Sequence, residues 1–374
     1  ELLEQFAGHY EGAVVWDERV PATSNLASTF AGIENLLVLR YDPEPGSLYH
    51  ELVEEKKFLT VKRRLMNDDG SPMFTGEGTI PGTDRLSTGS AKCDVYLWAV
   101  EHLIKKGRIN PHVLGYYIDG FWLKCAFADW PTNHTVTNHD FVIANRGLLF
   151  DLHVYEDEAP VDDPDQELGT DMRTLQEILQ ACYDQFGGDG LIRVCGYVPW
   201  RFKYTEVRDD TWDAGGKHHA VWAEWRSTEI ITAYNGFLEA DALSYSAMTN
   251  ASFFQHYPLP DRIPQNPMPT EEELRERGIL DEEGDVVPRN YYAHYVGDYD
   301  AAAWLYWRLP DIWMDPKRGE VPLSWAFNPN LARRFPIGMK WTRDTRTAND
   351  YFVAGDSGAG YANPRNFSEP RPFS

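Results

Sequence analysis

The chain has 374 residues, with 35 Lys plus Arg against 58 Asp plus Glu, a net charge of −23. Hydrophobic residues make up 43%, which excludes a disordered chain, and the negative charge argues against duplex nucleic acid or an anionic membrane as the main partner. Aromatic residues reach 14%, with 13 Trp and 20 Tyr, and an acidic chain rich in these rings leans toward carbohydrate.

Short apolar runs alternate with amphipathic ones along the chain. Strands are expected at Gly12–Trp16, Val113–Ile118, Leu148–His153, Leu191–Val198, Ala293–Val296 and Pro322–Phe327, with a last one near Tyr351–Ala354. Helices are expected at Leu26–Leu39, Asp94–Lys106, Asp171–Phe186, Thr228–Leu238 and Asp300–Leu309. Met172, Leu175, Ile178 and Leu179 recur at helical spacing, and Thr170 or Asp171 is the expected N-cap. Such alternation predicts an α/β fold with a largely parallel sheet. The favoured closure is a (β/α) barrel-like one of the TIM type, irregular or incomplete and carrying long loop insertions. Residues 67–91, rich in Gly, Ser, Thr and Pro, read as a long surface loop or subdomain junction. Residues 258–269 hold five prolines, and a capping box at Thr270 and Glu273 starts a short helix after them. The chain divides into an N-terminal α/β region, 1–165, and a C-terminal one, 166–374, expected to pack as one unit.

The chain opens at Glu1 without a Met or an apolar leader, from which a processed product is expected. Mean hydropathy is −0.49, and no apolar run reaches membrane-spanning length. The sequons at Asn133, Asn250 and Asn366 are signs of a secreted, extracellular glycoprotein. Cys182 and Cys195 lie in apolar runs and read as buried free thiols, while Cys93 and Cys125 are a candidate disulfide pair.

Several expected strands run into a carboxylate: Trp16 into Asp17, Ile118 into Asp119, Phe150 into Asp151, and Gly297 into Asp298. In a (β/α) architecture these gather at one end of the sheet. A pair of carboxylates, one protonated and one ionised, is what glycosidic cleavage needs. Each Asp taken singly also suits a turn or a helix cap. Glu224 sits between indoles in Trp222-Ala223-Glu224-Trp225, where rings stack on pyranose faces and apolar surroundings raise a carboxyl pKa; a helical segment would instead turn Glu224 toward solvent. The acidic run 156–165 supplies Glu158 as a further acid. Its Asp157, Asp162, Asp163 and Asp165 are weak candidates for holding Ca²⁺, and a solvated acidic loop is the alternative. No other cofactor is expected. Gly355-Asp356-Ser357-Gly358 has the form of a serine-protease turn but lacks the His–Cys segment and the β-barrel context.

Near the C-terminus the sequence reads Gly358-Ala359-Gly360-Tyr361-Ala362-Asn363-Pro364. This resembles the signature of the GxGYxYP family of glycoside hydrolases, departing from it at Asn363, where a second Tyr is expected. Val198-Pro199-Trp200 with Lys203-Tyr204, Val296-Gly297-Asp298-Tyr299-Asp300, Ser324-Trp325-Ala326-Phe327-Asn328-Pro329 and Asn349-Asp350-Tyr351 also look like the family. The resemblance runs from about residue 12 to residue 364 and implies a carbohydrate-active protein without an agreed catalytic pair. The residues and the resemblance together nominate Asp298, Glu224, Glu158 and Asp151 as acid, base or nucleophile. Trp200, Trp225, Tyr299 and Tyr361 are the nominated sugar platforms, with Lys203 and Asn250 as hydrogen-bonding partners. The expected partner is carbohydrate, with neither nucleic acid nor a membrane span. Two further readings stay open: a non-catalytic glycan-binding or structural glycoprotein, and a metal-dependent hydrolase or lyase using the 156–165 loop.

Overall fold

The computed structural model describes residues 1–116, 139–160, 163–195, 220–239, 250–260, 262, 264–299, 305, 309–355 and 361–367, with backbone only at 220–225, 298 and 299. Ten strands are described: β1 (Gly12–Trp16), β2 (Leu36–Arg40), β3 (Val61–Arg64), β4 (Val113–Tyr116), β5 (Leu148–Phe150), β6 (Ile192–Cys195), β7 (Gly236–Leu238), β8 (Tyr295–Tyr299), β9 (Leu323–Phe327) and β10 (Asp350–Ala354). They form three sheets, ordered β2-β1-β3, β5-β4-β6-β7 and β10-β9-β8. Every strand pair within these sheets is parallel. The mixed α/β fold with parallel sheets is therefore as expected.

The four-stranded sheet positions the site. Its side chains alternate between two cores, as period-2 strands require. Leu114, Leu148, Phe150, Ile192 and Val194 face the larger core. Val113, Leu149 and Cys195 face a second one, together with Trp325 and Phe327 of the β9 strand. Helices α1 (Ala22–Glu34), α2 (Ala91–Ala99) and α4 (Thr170–Phe186) cover the first face, and α3 (His139–Ala144) covers the second. Leu175, Ile178, Leu179 and Cys182 make the buried stripe of α4, each fully buried. Burying a Leu or Ile contributes about 1.5–3 kcal/mol before chain entropy is charged. α1 crosses close to α3: a Cβ on Gly32 would stand 2.3 Å from the Ile143 carbonyl oxygen, so only glycine fits. Helix α5 (Ala220–Thr232) leads into β7.

Two expected helices are shorter than their periodicity suggested. Leu26–Leu39 divides into α1 and β2 at Asn35, and Thr228–Leu238 divides into the end of α5 and β7 at Asn235. Both asparagines are left-handed, with φ of 53° and 57°, a conformation Asn tolerates at a helix C-terminus. The expected cap of α4 is also absent. Gly169 occupies the N-cap, and the Asp171 side chain turns inward instead. The capping box at Thr270 and Glu273 is present in full. The loop 67–90 carries no helix or strand, yet it is pinned by the buried side chains of Phe74 and Ile80. Among the described residues no helix is long and apolar enough to cross a membrane.

Candidate active site

Parallel strands bring their C-terminal ends to one edge, and in α/β sheets that edge is where ligands bind. In the four-stranded sheet β5 delivers Asp151 and β7 delivers Glu239 to that edge, and in the three-stranded sheet β1 delivers Asp17 to its own, all buried. Asp17 is already occupied: Arg19 holds both carboxylate oxygens, at 2.7 and 2.8 Å. It is a turn residue rather than a free acid.

Asp151 sits at the centre of a polar network. The Tyr96 hydroxyl donates to its Oδ1, and Asn25 Nδ2 donates in turn to the Tyr96 oxygen at 2.8 Å. Burial, followed by the neighbouring Asp151 charge, pushes the Tyr96 phenol well above its ordinary pKa, so it remains a donor. Asp171 lies beside this group. Lys92 Nζ donates to its Oδ2 at 2.7 Å, as does the His153 backbone N–H at 2.9 Å, while Cys93 Sγ and Gln166 Nε2 donate to Oδ1 at 3.2 and 3.0 Å. Burial alone would raise the Asp171 pKa; the Lys92 charge and these donors outweigh it and hold the carboxyl below its ordinary value. Cys93 is thus a free, buried thiol and not half of a disulfide. Its bond to Asp171 explains its place, and Cys125 lies outside the described residues. Cys182 and Cys195 are buried free thiols, as expected.

Glu158 approaches the same strand end from the acidic loop, its Oε2 3.7 Å from His153 Nε2. Because His153 Nδ1 accepts the Tyr155 N–H at 2.9 Å, the neutral ring carries its proton on Nε2, the atom nearest Glu158. Tyr155 is pushed up to about 12, first by burial and then by the Glu158 and Asp157 charges, against an opposing effect of Arg226. Arg226 ties α5 to this loop, with Nη2 3.3 Å from Glu156 Oε2. The helix backbone that carries positions 224 and 225 therefore runs beside the loop that carries Glu158. The side chains of Glu224 and Trp225 lie outside the described residues.

A second cluster was not legible in the sequence. Glu239, fully buried at the end of β7, pairs with Arg193 Nε and Arg334 Nε, each at 3.2 Å. Cys195 Sγ also approaches its Oε2 at 3.5 Å, and Asn328 Nδ2 donates to its backbone oxygen at 3.2 Å. The end of β9 is thereby joined to the end of β7. Tyr361 belongs to this edge as well: its backbone N–H and carbonyl exchange hydrogen bonds with Leu238 at 2.8 and 2.9 Å. The half-buried Tyr361 ring packs against the larger core. Glu239 followed a short Gly-Phe-Leu run that reads as a helix end; the shift to extended backbone after Asn235 is the signal that could have found it.

The remaining candidates divide as follows. Asp298 and Tyr299 are on β8, whose backbone pairs with β9, but their side chains lie outside the described residues. Trp200, Lys203, Asn133, Asp119 and Asp162 lie outside them altogether. Asn250 is exposed and left-handed at the start of the helix Ala251–Phe254. Asn366 closes a 3-10 turn. Asp163 accepts from Ser90 Oγ and Gln166 Nε2, Asp157 is half-buried, and Asp165 is exposed. Among the described residues no three His, Cys, Asp or Glu side chains gather as a metal site. Part of the aromatic richness belongs to the core: Trp313 and Trp325 are 1% exposed, with ring centres 4.9 Å apart.

Residues 289–373 match the family model described as GxGYxYP putative glycoside hydrolase C-terminal domain. Among solved structures, the fold is similar to that of a putative hydrolase from Bacteroides thetaiotaomicron VPI-5482, with a TM-score of 0.55 at 16% identity. That likeness covers 99% of this chain and 53% of the other, so the chain spans about half the length of the solved protein it matches. No curated protein sequence matches the chain.

Proposed function

We propose that this protein is a glycoside hydrolase acting on an extracellular glycan, with its carboxylates gathered at the C-terminal end of the β5 strand. The observation that carries the reading is Glu158 set 3.7 Å from His153, which follows the buried Asp151 by two residues, on a loop that Arg226 ties to the helix bearing position 224. The family match over residues 289–373 supports the reaction class.

In this reading Asp151, which accepts a hydrogen bond from Tyr96, orients the site. Glu158, whose side chain is 11% exposed, is the group a glycosidic oxygen can reach, and His153 holds it. A second carboxyl, Glu224 or Asp298, completes the pair. Separations of about 5–5.5 Å between the working pair give retention, and about 6.5–9.5 Å inversion. Tyr361, Trp225, Trp200 and Tyr299 form the sugar platforms, with Lys203 and Asn250 as hydrogen-bond partners. A barrel-like closure of the three sheets and a secreted address belong to the same proposal; the exposed Asn250 is a position an N-glycan can occupy.

The test is release of reducing sugar from a panel of plant, microbial and host glycans. Glu158→Gln is expected to lower kcat by about 10²–10⁴-fold, the share general acid–base groups ordinarily supply. Asp298→Asn and Glu224→Gln identify the second carboxylate by the same measurement. Full turnover by all three variants on an identified glycan would end the assignment. Glycan binding without any released sugar would mark a non-catalytic binding protein.

A further inference from the structure

A cleft of about 960 Å³ opens beside the four-stranded sheet, lined by residues that precede β4 and β6, by Arg193 and Phe237 on the strands themselves, and by the turn and helix after β9. In a chain carrying 58 acidic residues, none of the described residues lining it is Asp or Glu. Two guanidinium groups stand in its wall instead. Arg193 is fixed by Glu239 and by a 3.2 Å bond from Nη2 to Asn330 Oδ1, and its Nη1 has no hydrogen-bond partner among the described residues. Arg333 is exposed; its backbone N–H bonds to the Asn330 carbonyl, and its guanidinium makes no hydrogen bond or ion pair. Asn145 donates through Nδ2 to Phe141 O and Gln255 Oε1, at 2.8 and 3.0 Å, which leaves its Oδ1 as an open acceptor. Tyr257, 36% exposed, adds an aromatic face to the lining.

These groups specify a ligand chemistry. A guanidinium without a partner recognises a carboxylate, and a positively lined concavity on an acidic protein concentrates anions that the rest of the surface repels. Carboxamides exchange hydrogen bonds with hydroxyls, and a half-exposed phenol ring packs on the C–H face of a pyranose. The volume suits two or three sugar rings. We propose that this cleft is a binding site for an acidic saccharide, a uronic-acid chain whose carboxylate pairs with Arg333 and whose hydroxyls meet Asn145 and Gln255. The saccharide part of the inference rests on the glycan reading above, while the anionic part rests on the cleft alone. Neither Asp151 nor Glu158 lines this cleft, so in the proposal it holds substrate or product rather than the reacting bond.

Calorimetric titration with trigalacturonate and with galactotriose tests this, using the Glu158→Gln protein so that turnover does not consume the probe. Trigalacturonate is expected to bind at least about ten-fold more tightly than galactotriose, and more weakly as salt rises. Arg333→Gln, an exposed change that leaves the core intact, should weaken trigalacturonate about ten-fold and leave galactotriose unaffected. Equal affinity for the two sugars, binding of neither, or an Arg333→Gln protein that holds trigalacturonate as before would overturn the proposal. Binding of a non-sugar carboxylate such as citrate with trigalacturonate excluded would also overturn it. Sugar release by the unmodified protein is read separately, so a failed hydrolase assignment and a failed cleft give different results.

Discussion

Two clusters of buried charge stand at the C-terminal edge of one sheet, and they are built in opposite senses. At the end of β5, Asp171 pairs with the Lys92 ammonium and takes further hydrogen bonds from Cys93 and Gln166, while Asp151 takes one from Tyr96. At the end of β7, Glu239 lies between two guanidinium groups, one of them wholly buried. In the first cluster one ammonium and several neutral donors hold two separate carboxylates in place. A surplus of guanidinium ties elements together, here joining the four-stranded sheet to the helix Leu331–Arg334 after β9. The two clusters are thus separated by two intervening strands, an inter-strand distance of about 14 Å.

The guanidinium cluster is the place to break that contrast most severely. Glu239→Gln keeps the shape of the side chain but removes the charge that Arg193 and Arg334 share. Breaking a buried ion pair from one side costs about 3–5 kcal/mol, and this change should fall in the upper part of that range. Urea denaturation measures it. A loss below about 1 kcal/mol would show that the cluster is not a clamp.

Lys92→Met tests the carboxylate-rich cluster and should cost about 3 kcal/mol at neutral pH, because Asp171 is left ionised and buried. The pH dependence gives the sharper reading. In the parent protein the Asp171 pKa is lowered, so its contribution is fully present above the unfolded value and is lost as pH falls through the folded one. Without Lys92, burial dominates and Asp171 takes up a proton more readily. The deficit of the variant should therefore be largest near pH 7 and shrink toward pH 4, as followed by thermal melts across that range. A deficit that stays constant with pH would show that Lys92 acts by packing alone.

The contrast between the clusters also marks how far the sequence could be read. Strand β1, helix α4 and the last strand were legible because each has a clear period and clear ends. The two helices that ran too far did so through Leu-Leu-Val-Leu after Asn35 and Gly-Phe-Leu after Asn235, apolar runs that suit either period. Asp151 and Glu158 were legible as carboxylates after a strand. Their partners were not: Tyr96 is 55 residues from Asp151, and Lys92 is 79 residues from Asp171. Nothing local marks such a pair, since α2 reads as an ordinary amphipathic helix until it is laid against α4. Asp171 itself looked like a cap because Asp near a helix start usually is one; a partner buried across the interface changed its role.

A surface pair sharpens the comparison from the other side. Arg85 grips Glu177 with two bonds of 2.6 Å each, tighter in geometry than either contact of Glu239. Its side chains are 33% and 41% exposed, so water screens the attraction and solvates whichever partner is left behind. Arg85→Ala should therefore cost only about 0.5–1 kcal/mol, several times less than Glu239→Gln, despite the better hydrogen bonds. The Arg85→Ala and Glu177→Ala double-mutant cycle isolates the pair, and its coupling should fall further in 1 M salt, where the screening length is about 3 Å. A coupling as large as the loss at Glu239 would mean that bond geometry, not burial, sets the strength of ion pairs in this fold.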